Sequence, residues 1–171
     1  LNATAYHEAG HVVACYVQGI RVKAANIVAN TTNTGQVHHA DPLQGIRLEW
    51  NRSIRAVDRA HKLIRICLAG AIAQRRHSKL SYRHYHSNSD HTNAVDLAFL
   101  VSASDREVEV LLHLMDVQTE QMLNQHWPLV EAVARSLLRH RKLSATEIRK
   151  VMEDALAVRR DADRAKIGQP S

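Results

Sequence analysis

The chain has 171 residues, is 45% apolar but only 4% aromatic, and carries two cysteines and a net charge of +6. That length suits one domain whose core must be built from Leu, Ile, Val and Ala. Two cysteines exclude a disulfide-stapled scaffold, and no apolar run reaches membrane-spanning length. The basic residues are dispersed until the C-terminal end, which reads as a solvated surface and speaks against nucleic-acid binding.

Helix formers dominate and Gly and Pro are few, so the expected class is mainly α with a small β part. Cys15 and Cys67 sit in apolar helical context and read as buried thiols of a reducing compartment. With no signal peptide visible, the expected location is cytoplasmic. The chain opens on Leu1 rather than Met, which leaves room for residues upstream.

The first helix is expected over residues 3–18, with Gly19 as its stop. It contains His7-Glu8-Ala9-Gly10-His11, a His-Glu-x-x-His pattern. Four residues apart, the two imidazoles lie one turn above each other on one helix face, where they can share a tetrahedral metal. Glu8 stands beside them as a base for a metal-activated water. With twelve His and eight Glu in the chain, a chance match is expected roughly 0.04 times, so the motif carries information. The plain alternative is a histidine-rich amphipathic helix. Two histidines among apolar neighbours are costly to bury without partners, which favours the metal. Gly10 is unfavourable inside a helix and predicts a close approach there.

Residues 22–29 and 36–40 read as two strands joined by a turn over residues 30–35, a hairpin directly after the metal helix. An edge strand there can align an extended peptide. A loop at Asp41-Pro42 to Gly45 leads to a long helix over residues 49–76, in which Ala69-Gly70-Ala71 is a small-residue patch suited to meet Gly10. Residues 77–88 are polar and read as a loop. Ser87 to Asp90 offer caps for a helix with Ala94, Leu97 and Ala98. Further helices are expected over 105–125 and 129–141, with Pro128 near a helix start. The capping box Ser144-Ala145-Thr146-Glu147 opens the last one. Residues 1–158 make the domain, and 159–171 form a basic end expected to fray.

A catalytic zinc needs a third protein ligand. The metzincin continuation fails, because Ala14 and Val17 stand where Gly and His are required. Glu49 is one candidate, and the loop region offers His84, His86, Asp90 and His91.

Tyr6-His7-Glu8-Ala9-Gly10-His11 resembles the peptidase domain of the FtsH-family ATP-dependent zinc metalloproteases. Later stretches follow in the same order. Leu68-Ala69-Gly70-Ala71-Ile72-Ala73 resembles that family's Leu-Gly-Gly-Arg-Ala-Ala. Ser87-Asn88-Ser89-Asp90 with Ala94 and Leu97-Ala98 resembles its Ala-Ser-Asn-Asp segment and the helix after it. Leu137-Leu138 through Leu143 to Ile148 resembles its closing stretch. The resemblance implies a helical zinc-metallopeptidase domain, Zn2+ held by His7, His11 and Asp90, and Glu8 as general base. It implies hydrolysis of peptide bonds in unfolded or extended polypeptides.

Three departures qualify that expectation. No Gly-Lys-Ser/Thr phosphate loop occurs in these residues, so hydrolysis by the isolated chain is expected to be ATP-independent, with a separate ATPase or a homo-oligomer as possible partners. His84 and His86 enter the ligand loop as alternatives to Asp90. Gln74-Arg75 replaces the family's acidic pair, which predicts weaker support behind a zinc histidine. The rival reading is a catalytically inactive, zinc-binding interaction module, against which the intact Glu8 argues.

Overall fold

The computed structural model describes residues 1–29, 35–78 and 88–167. The helices are α1 (Asn2–Val17), α2 (Ile54–His77), α3 (Asn88–Val101), α4 (Asp105–Gln125), α5 (Trp127–His140) and α6 (Ala145–Ile167). The strands are β1 (Val22–Asn26), β2 (Gln36–His39) and β3 (Lys142–Ser144). The chain is thus mostly helical with one small antiparallel sheet, ordered β2-β1-β3.

Helix α1 is the axis of the fold. From His7 to Cys15 every residue is buried, because α2 and α5 pack along it and strands β1 and β2 also lie against it. A helix buried on all sides needs apolar residues all round, and Val12, Val13, Ala14 and Cys15 supply them. They join Ile66, Ala69 and Ala73 of α2 and Val130, Val133 and Leu137 of α5 in the main core. A second core binds α2 to α3 and α4 through Ile64, Ala94, Ala98, Val108 and Met115.

The close approach predicted at Gly10 is present. A Cβ built there would lie 2.5 Å from the Ala69 carbonyl oxygen and 2.7 Å from the Ala73 Cβ. Gly10→Ala removes a glycine from a helix interior, which alone stabilises by about 1 kcal/mol. The collision with backbone, about 1–3 kcal/mol, outweighs it, and we expect a net loss of up to about 2 kcal/mol in urea denaturation. Unchanged or higher stability would show that α1 and α2 have room to part.

Several expectations need correction. Helix α2 begins at Ile54 rather than near Glu49, because the chain first turns at residues 47–51, where the Arg47 carbonyl accepts from Trp50 and Asn51. Asn51 Oδ1 then accepts from Ser53 N, and Ser53 Oγ caps the helix at Ala56 N. At its other end α2 includes His77, whose ring stacks on Tyr6 at 3.6 Å. The first strand ends at Asn26, short of Ala29.

Strand β3 was not anticipated. Three residues are too short to show an alternating pattern, and only the pairing of Ala25 with both Val37 and Leu143 reveals it. Arg141, in a left-handed conformation at φ 64°, turns the chain from α5 into this strand. The capping box at α6 is reciprocal, with Ser144 N donating to Glu147 Oε2 and Glu147 N donating to Ser144 Oγ. That helix continues to Ile167, past the point where fraying was expected. Cys15 is buried, whereas Cys67 is half-buried, and burial first of all pushes both thiols up to about 12. Among the described residues no helix is long and apolar enough to cross a membrane.

Candidate metal centre

Three elements that are distant in sequence meet at one point. Helix α1 presents His7, Glu8 and His11 from its buried face. Helix α3 presents Asp90 from its first turn, where the positive end of a helix favours a carboxylate. Helix α2 lies beneath, and Gly70 is the residue that lets it approach. A Cβ on Gly70 would lie 2.6 Å from His7 Nε2 and would also strike His11 Nε2. The small-residue patch on α2 thus has two uses: Ala69 and Ala73 meet Gly10, and Gly70 leaves space for the imidazoles.

The geometry fits a cation. His11 Nε2 lies 3.0 Å from His7 Nε2, and Asp90 Oδ2 lies 3.1 Å from His7 Nε2 and 3.2 Å from His11 Nε2. Each imidazole uses its other nitrogen as a donor, His11 Nδ1 to the Ile66 carbonyl at 2.7 Å and His7 Nδ1 to Gln74 Oε1 at 3.2 Å. With both Nδ1 hydrogens committed, two bare ring nitrogens and a carboxylate oxygen face one another. Only a positive charge among them relieves that repulsion. A tetrahedral zinc with bonds of about 2.0–2.1 Å needs ligand atoms about 3.3 Å apart, close to the triangle formed here. Among the described residues, His7, His11 and Asp90 make up the one group able to hold a metal ion.

The electrostatics agree. Burial disfavours charge on His11, but Asp90, with Glu8 behind it, raises its imidazole to about 9. Burial likewise opposes charge on Asp90, yet the His11 and His7 imidazoles beside it, when protonated at Nε2, hold its carboxyl well below the usual carboxylate range. A pocket that favours a buried imidazolium beside a carboxylate favours positive charge, from a proton or from a metal. Glu8 is buried next to this group, and desolvation raises its carboxyl, with the two imidazoles opposing. Its oxygen lies against Gly35, where an added Cβ would sit 2.6 Å from Oε1.

All of these residues open onto a cleft of about 1180 Å³. Gly35, Gln36, Val37 and His39 of the β2 segment line it, and Leu63, Ile66 and Cys67 of α2 with Leu97 and Leu100 of α3 give it an apolar wall. Strand β2 lies at the edge of the sheet, so the strand bordering the cleft is one with an edge to offer.

Of the other ligand candidates, Glu49 is exposed and outside the cleft. His91 is exposed and lines a separate small cavity with Cys67, Arg75 and Asp116. His84, His86 and the turn at residues 30–34 lie outside the described residues. Gln74, which stands where the resemblance places a carboxylate, accepts the His7 hydrogen bond through its neutral amide oxygen. Sequence reasoning missed Gly35 as the contact of Glu8 and the Ile66 carbonyl as the partner of His11. A backbone carbonyl leaves no residue signature, and Gly35 read only as part of a turn. No protein-family model matches the chain, and no curated protein sequence matches it.

Proposed function

We propose that this protein is a zinc-dependent metallopeptidase that cleaves extended or unfolded polypeptide. The observation that carries the reading is the convergence of His7 Nε2, His11 Nε2 and Asp90 Oδ2, 3.0–3.2 Å apart with both Nδ1 hydrogens used elsewhere. When bound, zinc supplies a Lewis acid for the substrate carbonyl and lowers the pKa of a water. Glu8 would take the proton from the attacking water as the water oxygen adds to the carbonyl carbon. The carbon–nitrogen bond then breaks, and Glu8 returns the proton to the leaving amine. Burial suits Glu8 to this role, because a carboxyl raised above its ordinary value accepts a proton more readily. A metal held only for structure has no use for such a neighbour. Strand β2 aligns the substrate by main-chain hydrogen bonds, and the apolar wall of the cleft receives its side chains.

Substrate form follows from energetics. Unfolding a domain costs about 5–15 kcal/mol, which docking on a short strand does not supply. With zinc present, we expect cleavage of unstructured peptides and of a destabilised globular protein, no cleavage of its stable parent, and no response to ATP. Equal cleavage of both forms, or stimulation by ATP, overturns the restriction to extended substrates. Stoichiometric zinc with no cleavage of any unstructured peptide replaces the enzyme by an inert zinc-binding module.

A further inference from the structure

We infer that Gln74 is a positioning residue that sets the tautomer of His7, and that its neutral amide leaves the zinc more readily exchanged than a carboxylate would. This rests on the zinc reading above. Gln74 is buried on α2, and its Oε1 lies 3.2 Å from His7 Nδ1. The amide oxygen accepts the Nδ1 hydrogen, which leaves His7 Nε2 bare and directed at His11 and Asp90.

His11 receives the same support in a different form. Its Nδ1 donates to the Ile66 carbonyl at 2.7 Å, an acceptor fixed within α2 that cannot turn round. Gln74 gives His7 a side-chain acceptor instead, the oxygen of a neutral amide. A carboxylate at this place would add negative charge behind the imidazole and make Nε2 more basic.

Ring position and ring tautomer are therefore set separately. The Gly70 backbone fixes where the imidazoles stand, since any Cβ there meets both Nε2 atoms. Gln74 decides whether the His7 nitrogen facing the metal is bare. Among the described residues, the centre's own negative charges are Asp90 and Glu8, and Gln74 contributes none.

The test is zinc affinity by competition with a chromogenic chelator, together with the rate of zinc release, for wild type, Gln74→Leu and Gln74→Glu. Affinity should fall about 10- to 100-fold in Gln74→Leu, and it should rise about 10-fold with slower release in Gln74→Glu. Thermal melts of the metal-free proteins report folding, and should Gln74→Leu not fold, Gln74→Glu decides the matter alone. Equal affinity in all folded forms, or weaker binding in Gln74→Glu, overturns the inference while leaving the zinc centre in place. Failure of wild type to bind zinc overturns both.

Discussion

Glu8→Gln should lower peptide hydrolysis by about 10²–10⁴-fold, the range a positioned general base contributes, with fold and zinc content unchanged. The substitution keeps the shape of the side chain, which matters because the carboxylate is buried against Gly35. What it removes is the ability to accept a proton, since a carboxamide is not protonated near neutral pH. Zinc is retained because the three donor atoms belong to His7, His11 and Asp90. Turnover of an unstructured peptide, measured beside metal content in the same preparations, checks the result. Undiminished turnover in zinc-loaded Glu8→Gln would remove Glu8 from the mechanism.

The second large effect is expected at the third ligand. Zinc sites with a full shell of four protein ligands bind with about 10–16 kcal/mol, so one ligand is worth about 2.5–4 kcal/mol. Asp90→Ala should therefore weaken zinc binding by about 60- to 700-fold. It also removes the carboxylate oxygen that lies between the two imidazoles, whose Nε2 atoms stand 3.0 Å apart. Chelator competition at fixed pH measures the loss. Wild-type affinity in Asp90→Ala would exclude Asp90 and direct attention to His84 and His86.

The helix α1 and its two imidazoles were legible because their relation is local. Residues four apart on a helix share a face whatever surrounds them, so the His7–His11 pair and the neighbouring Glu8 follow from spacing alone. The capping box at Ser144 and Glu147 and the hairpin of β1 and β2 were legible for the same reason, being decided by a few adjacent residues. Gly10 was legible as a close approach, because a glycine inside a buried helix needs a neighbour to explain it.

The rest depends on how α1, α2 and α3 cross. Asp90 stands 79 positions beyond His11, and no local pattern marks it; the family resemblance alone singled it out from His84, His86, His91 and Glu49. Strand β3 exists only because α5 turns back through Arg141 to lay Leu143 beside Ala25. Gln74 looked like a lost carboxylate, and only the packing of α2 beneath α1 shows its amide oxygen in place to take the His7 hydrogen. The sequence by itself determined a helix presenting two imidazoles on one face with a carboxylate beside them, because helical periodicity is a short-range property. The approach of Asp90 to that pair, the partners of each Nδ1 and the cleft beside strand β2 were decided by tertiary structure, because each is a contact between segments whose separation the chain leaves open until the helices pack.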